Sequence, residues 1–334
     1  MKIVIIDSNA IVHRSFHALP ALTAPDGSIV NAAYGFSSML IRMIRELEPD
    51  YIVAAFDMAA PTFRHLAYER YKAQRVKAPD ELYAQIPKVK EVLAAFHIPV
   101  LEQSGYEADD IIGTIAKKIT ALHKDAEVII VTGDMDTLQL VTDRVRVYTM
   151  KKGINETALY DEAAVKERYG LAPAELTDYK GLRGDPSDNI PGVKGIGEKT
   201  ASELLQKYHS IEAIYRALKK GELEASESIK KKLAAEEEEA MFSKELATIN
   251  CAVPIDFSLE KISWAGIRGH LPEIEAVFQK FGFRSLWDRM QALVGNAPDV
   301  SENIVLGAPS EILTHAIVSK KTLFEFFTAA AKNT

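Results

Sequence analysis

Four short runs of mostly β-branched or small apolar residues, Lys2 to Ile6, Tyr51 to Phe56, Glu127 to Thr132 and Val145 to Tyr148, mark the first 150 residues. They alternate with helical patterns such as Ala32 to Leu47 and Ile111 to Leu122. Runs this short and unbroken suit strands buried on both faces, and strand-helix alternation predicts an α/β fold with a central, mostly parallel sheet flanked by helices. From Asp161 to about Met290 strand patterns nearly vanish. Apolar residues there recur at helical spacing, as in Ala201, Leu204, Leu205, Tyr208, Ile211 and Ile214, so a helical second part is expected.

Nine carboxylates fall in five clusters, most of them where a run or helix meets a loop: Asp7; Asp57; Glu107, Asp109 and Asp110; Asp134 and Asp136; Asp185 and Asp188. Ligands of open α/β sheets gather beyond the carboxyl ends of the strands, so the clusters are expected to converge there. Carboxylates about 4 Å apart repel by roughly 4 kcal/mol per pair at an effective dielectric near 20. A site built from several of them needs cations. Oxygen donors without His or Cys favour Mg2+ or Mn2+ over Zn2+, and two such ions would clamp the attacking and leaving oxygens of a phosphodiester. A single cluster also suits helix capping, but capping needs one acid where Glu107-Ala-Asp109-Asp110 supplies three.

At 334 residues and 47% hydrophobic the chain can bury two cores. No apolar stretch reaches the roughly 18 residues of a membrane span, and Met1 leads straight into a strand, so a cytoplasmic address is expected. Its lone cysteine, Cys251, excludes an internal disulfide and a Cys-based metal site. A net charge of −7 hides an uneven distribution: between Arg64 and Lys90 seven Lys or Arg residues stand against three acids. In Tyr68-Glu-Arg-Tyr71-Lys72-Ala-Gln-Arg75 the spacing places Lys72 and Arg75 on one helix face beside two aromatic rings, a combination that suits single-stranded nucleic acid. Pro191-Gly192-Val-Lys194-Gly195-Ile-Gly197-Glu-Lys199-Thr200 is a glycine-bearing turn feeding a helix. Its amides, helix N-terminus and two lysines would accept a phosphate without reading sequence. From Val294 the composition turns to Gly, Asn, Ala, Pro and Ser, so residues 294–310 read as a linker and 311–334 as the start of a further fragment.

These residues together resemble a known family. Val4-Ile-Ile-Asp7-Ser-Asn, Phe56-Asp57, Thr62-Phe-Arg64, Tyr71-Lys72 with Arg75, Gly105-Tyr-Glu107-Ala-Asp109-Asp110, Thr132-Gly-Asp134 with Asp136, and the block from Gly184-Asp185-Pro-Ser-Asp188 to Ala201 are similar to the 5′ nuclease domains of bacterial DNA polymerase I, in the flap endonuclease family. The likeness runs from Met1 to about Ala292. It implies a PIN-like nuclease core over residues 1–175 with a helical arch near 62–90. It further implies a helical subdomain over 176–293 with a helix-three-turn-helix motif near 176–208.

By the same resemblance, Asp7, Asp57, Glu107 and Asp109 would surround one Mg2+, with Mn2+ able to substitute. Asp134, Asp136 and Asp188 would surround a second, with Asp110 and Asp185 bridging or outside them. Lys72 and Arg75 would contact the scissile phosphate. Arg64, Tyr71, Gly192, Lys194, Gly195, Gly197, Lys199 and Thr200 would contact DNA, with K+ assisting at the hairpin. The implied substrates are 5′ flaps, nicks, junctions and RNA/DNA primer hybrids, cut by a monomer natively fused to polymerase domains in the bacterial nucleoid. Residues 304–334 resemble the opening of a truncated 3′ to 5′ exonuclease-like domain, so a longer natural chain is expected. Met135 departs from the pattern, since relatives place Lys or Arg there, and an effect on rate is expected. Two other readings stand beside this one: a non-catalytic junction-binding module that positions a polymerase, and a PIN-like ribonuclease.

Overall fold

Each of the four apolar runs is a strand in the computed structural model, which describes residues 1–152, 156–264 and 266–295. They are β1 (Lys2–Asp7), β2 (Tyr51–Ala55), β4 (Glu127–Thr132) and β5 (Val145–Lys152), joined by the two-residue β3 (Val100–Leu101) and by β6 (Glu156–Tyr160). The sheet order is β3-β2-β1-β4-β5-β6. All neighbours are parallel except β5 and β6, which are antiparallel. Side chains alternate between two cores, as a sheet covered on both faces requires. Val4, Ile6, Ile52, Ala54, Ile129 and Val131 enter one apolar cluster. Ile3, Ile5, Val53, Ala55, Val128 and Ile130 enter the other.

The helices are α1 (Ser8–Ala18), α2 (Asn31–Leu47), α3 (Phe63–Ala67), α4 (Asp80–Tyr83), α5 (Ile86–Ala95), α6 (Ala108–Leu122), α7 (Glu162–Tyr169), α8 (Leu176–Arg183), α9 (Glu198–Tyr208), α10 (Ile211–Lys220), α11 (Glu227–Ala235), α12 (Glu237–Ala247), α13 (Leu271–Phe281) and α14 (Arg284–Gly295). Helices α2, α5, α13 and α14 cover the first face. Helix α6 covers the second and continues into the packing of α8 to α11, so Met1–Gly295 forms one compact unit. Val294 and Gly295 close α14. The rest of the expected linker and the fragment 311–334 lie outside the described residues.

The expected arch differs from its reading in the sequence. Between α3 and α4 the chain runs through turns, and Lys72 takes a positive φ of 54°, so Lys72 and Arg75 do not share a helix face. Bonds to the Asp185–Ile190 loop outcompete helix formation there. Lys72 N–H donates to Asp188 O (2.9 Å), Gln74 Nε2 to Pro186 O (2.7 Å) and Asn189 Nδ2 to Arg70 O (2.8 Å).

Helix α2 begins at Val30, which offers no side-chain cap. Fully buried Gln85, between α4 and α5, supplies one from afar. Its Oε1 accepts Ala32 N–H (2.8 Å) and Ala33 N–H (3.3 Å), and its Nε2 donates to Asn31 Oδ1 (3.0 Å) and Glu81 O (3.1 Å). Gln85→Leu strands two buried donors and is expected to cost about 2–4 kcal/mol, measured by urea unfolding. A cost below ~0.5 kcal/mol, the level of an ordinary surface change, would refute the cap.

Candidate active site

The sheet switches direction at β1, whose neighbours β2 and β4 lead to opposite edges, and the crevice beyond their carboxyl ends is where such folds bind ligands. Asp7 ends β1 and caps α1, accepting Ala10 N–H (3.1 Å) and the Thr132 hydroxyl (2.5 Å). Thr132 ends β4, and its Oγ1 accepts Asp134 N–H (2.8 Å). Asp134 Oδ1 accepts Asp136 N–H (2.9 Å), which starts the short 3-10 turn Met135–Leu140. Past β2, Asp57 Oδ1 accepts Ala108 N–H (2.7 Å), tying it to the first turn of α6, where Asp109 stands.

Burial, then Asp7, Asp134 and Asp136, push the Asp109 carboxyl well above the usual range. Burial raises Asp7 to about 7, against the pull of its Thr132 and Ala10 hydrogen bonds and with help from Asp57 and Asp134. Five acids, Asp7, Asp57, Asp109, Asp134 and Asp136, are therefore linked by mutual repulsion.

The remaining acids already hold cations. Lys72 Nζ lies 3.0 Å from Glu107 Oε1 and 3.8 Å from Asp188 Oδ2, and Arg75 pairs with Asp188. Lys180, on α8, bridges Asp136 and Asp185, the latter at 2.7 Å. Burial works to raise Asp185, but Lys180 and the Ser187 hydroxyl outweigh it and hold the group at about 2. Burial also disfavours the Lys180 charge, yet Asp136 and Asp185 carry its pKa above the ordinary lysine value. Lys180 escaped the sequence reading. Its only signal was a cation five residues ahead of Asp185 near the end of a helix.

Four expectations need correction. Arg64 is 2% exposed, so it is no DNA contact. Its guanidinium makes a bidentate pair with Asp110 (2.8 and 2.9 Å) and donates to Leu246 O (2.9 Å) and Thr248 O (2.8 Å). Asp110, expected to bridge the metals or lie outside them, is held away from the bridging role: it also accepts Asn250 N–H (2.8 Å) and Glu107 N–H (3.0 Å). Four donors fill the roughly four lone-pair sites of a carboxylate. Tyr71 is 3% exposed, and its hydroxyl donates to Glu107 (3.2 Å) and Asp188 (3.3 Å). Gly192 is buried, its N–H donates to Ser243 Oγ (2.9 Å), and a Cβ there would lie 2.1 Å from Gly184 N. It closes the hairpin and does not reach a phosphate.

The rest of the hairpin is outward. Gly195, Gly197, Lys194 and Lys199 are exposed and Thr200 is half-buried, while Val193 and Ile196 anchor the turn in the core. Gly197 caps α9 without a side-chain hydrogen bond, and nothing lies within 4 Å of its Cβ position.

Lys72, Glu107, Asp109, Asp134, Asp136 and Asp188 line a cavity of about 20 Å3, room for about one water-sized body. Among the described residues no three His, Cys, Asp or Glu side chains are gathered closely enough to enclose a metal ion. The donor chemistry nonetheless fits divalent cations. Asp7, Asp57, Asp109 and Asp134 form no ion pair among the described residues, and every available donor is an oxygen.

Burial raises Asp136 to about 6 even against Lys180. With Asp7 at about 7, the folded protein holds protons that the unfolded chain releases near pH 4. Their stabilisation is complete below pH 4 and is lost as pH rises through 6 and 7. Depressed Asp185 acts only at the acid end, where protonation near pH 2 removes its contribution. Metal-free protein is therefore expected to melt several degrees lower at pH 8 than at pH 5, and divalent ions should raise the melting temperature more at pH 8. A melting temperature that is flat or rising across this range would contradict the clustering.

The site thus stands at the switch point of a mostly parallel α/β sheet, with carboxylates gathered beside Lys72, Arg75 and Lys180. Residues 2–170 match the family described as 5′-3′ exonuclease, N-terminal resolvase-like domain, and residues 171–269 match its C-terminal SAM fold. The chain belongs to this 5′-3′ exonuclease family. It is 41% identical over 290 residues to DNA polymerase I of Bacillus subtilis, covering 86% of this chain and 32% of the polymerase. It is 45% identical over 264 residues to DNA polymerase I of Caldicellulosiruptor bescii, covering 78% and 30%. The chain thus spans about a third of the length of these curated relatives.

Among solved structures, T5 5′-exonuclease with bound divalent metal ions (zinc) superposes with a TM-score of 0.61 at 20% identity, covering 88% of this chain and 100% of that one. The catalytic core of Rad2 in complex with DNA substrate gives 0.58 at 16% identity, covering 88% and 92%. The likeness to both confirms the fold. Among the described residues no helix is long and apolar enough to cross a membrane.

Proposed function

We propose that the chain is a metal-dependent, structure-specific 5′ nuclease that hydrolyses phosphodiesters where a single strand meets a duplex, as the N-terminal part of a bacterial DNA polymerase I. The observation that carries this is the meeting at Asp109 of three further aspartates and, with opposite sign, Lys72, in a chain of the 5′-3′ exonuclease family. Asp7, Asp57, Asp109 and Asp134 would hold Mg2+ or Mn2+, joined by Glu107, Asp136, Asp185 and Asp188 once their cations move. When bound, two such ions activate water and stabilise the leaving oxygen.

Lys72 and Arg75 then exchange carboxylates for the phosphate being cut, which draws the substrate onto the cleft. Lys180 keeps Asp136 and Asp185 oriented before metal arrives. The open N-terminus of α9, with Gly195, Gly197, Lys194, Lys199 and Thr200, grips the duplex through its phosphates, and K+ there would bridge backbone and phosphate. A core over residues 1–175 thus cuts while a helical part over 176–293 measures the adjoining duplex. Flaps, nicks and RNA/DNA primer hybrids are the fitting substrates, met by a monomer in the bacterial cytoplasm.

The test is cleavage of a 5′-labelled flap on a nicked duplex, with Mg2+ or EDTA, by the unaltered chain and by Asp134→Asn/Asp136→Asn. Cutting at the junction that needs both metal and aspartates is expected. Tight binding without cutting in Mg2+ or Mn2+ would replace this reading with a junction-binding module.

A further inference from the structure

Helix α12 ends against the cavity of the acids, where Leu246, Ala247 and Ile249 form part of the wall beside Asp134 and Asp136. The last carbonyls of a helix have no partner within it, and here side chains from elsewhere supply one. Arg64 serves Leu246 O and Thr248 O. Gln139 serves Ala247 O through its Nε2 (3.1 Å), and its Oε1 accepts Ile249 N–H (2.9 Å). The same Nε2 donates to Asp136 O (3.0 Å). These three bonds fix one orientation of the amide, because two carbonyls need its NH2 and one N–H needs its oxygen.

Gln139 stands in the 3-10 turn Met135–Leu140, which follows Asp134 and contains Asp136. Asp134 Oδ1 accepts Asp136 N–H, so both acids move with that turn. The other side of the joint is the glycine hairpin. Fully buried Ser243, one helical turn before Ala247 on α12, accepts Gly192 N–H with its Oγ (2.9 Å). Lys244 pairs with Asp178 on α8 (2.7 Å) and Glu212 on α10 (2.9 Å). Hairpin and acid-bearing turn are thus pinned to points about 6 Å apart along one helix, the rise of four residues.

We propose that Gln139 is a positioning residue that fixes the turn of Asp134 and Asp136 relative to the hairpin, and so sharpens the choice of the scissile phosphate. This rests on the nuclease reading above. The hairpin sets where the duplex lies, the two acids set where the metal lies, and the glutamine joins the two frames.

The first test needs neither DNA nor cleavage. Mn2+ binding at pH 8, followed by electron paramagnetic resonance, should be about tenfold weaker in Gln139→Met, the scale of losing a group that orients metal ligands. Thr114→Val is the control. Thr114 bonds Asn250 O (3.2 Å) and Val253 N–H (3.0 Å) further along the same segment, so its loss loosens that segment without releasing the turn and should leave Mn2+ binding unchanged. The second test maps the cut on a 5′-labelled flap: Gln139→Met should add products one nucleotide to either side of the single position cut by the unaltered chain and by Thr114→Val. Unchanged Mn2+ binding in Gln139→Met, equal weakening in both variants, or a single unshifted product would each overturn the assignment. Should Gln139→Met fail to fold, Gln139→Asn, which keeps the amide but is one methylene too short, takes its place with the same expectations. If the unaltered chain cuts no flap in Mg2+ or Mn2+, the nuclease reading fails by itself, and the Mn2+ titration alone decides whether Gln139 positions the acids.

Discussion

Asp109→Asn is expected to lower metal-dependent flap cleavage by at least about 10^3-fold, the equivalent of several kcal/mol of lost metal-borne stabilisation, and to raise the melting temperature of the metal-free protein. Both effects come from one charge. Asp109 stands in the first turn of α6 among Asp7, Asp134 and Asp136, and burial with those neighbours lifts its proton affinity well above the ordinary value. Each unit of such a rise is about 1.4 kcal/mol held against the ionised folded state. Asparagine keeps the shape and removes the charge, so the fold relaxes while the site loses a divalent ligand.

Sites that trade stability for activity respond in this opposed way. Circular dichroism melts in EDTA at pH 8 and single-turnover cleavage in Mg2+ would measure the two effects. A variant that is both slower and less stable would make Asp109 a structural residue. Retained cleavage would take it out of the metal site.

The sheet was legible because its strands are buried on both faces, and that condition writes itself into sequence as continuous runs such as Ile3 to Ile6, whose residues alternate between two cores. Strand β3 has two residues and no run to read. Strand β6 is a partly exposed antiparallel edge whose polarity resembles that of a loop. The acids could be found because like charges gathered at strand ends need an explanation. Their partners could not. Arg64 meets Asp110 across 46 residues and Leu246 across 182, and no local pattern encodes such distances. Lys72 and Arg75 stand beside Glu107 and Asp188, but not on the helix expected of them. Helical spacing in that stretch gave way to hydrogen bonds from a loop more than a hundred residues away.

Arg64→Met is expected to cost about 3–5 kcal/mol, the range for breaking a buried ion pair by removing one partner. Asp110 is fully buried, and its carboxylate would lose two of four hydrogen bonds while keeping its charge. The carbonyls of Leu246 and Thr248, at the C-terminal end of α12, would lose their donors as well. Arg64→Lys should recover little, because a single ammonium cannot reproduce a planar fork that serves one carboxylate and two carbonyls. Arg64→Met/Asp110→Asn should be more stable than Arg64→Met alone, since the second change removes the stranded charge and keeps an acceptor for Asn250 N–H. A urea-unfolding double-mutant cycle would measure this coupling. If Arg64→Met folds with nearly full stability and instead weakens flap binding, the arginine belongs to the nucleic-acid interface, as its sequence motif first implied. The structure makes it the joint that fastens α3 to the first turn of α6 and the end of α12, so it must act on the site by holding those three elements in register.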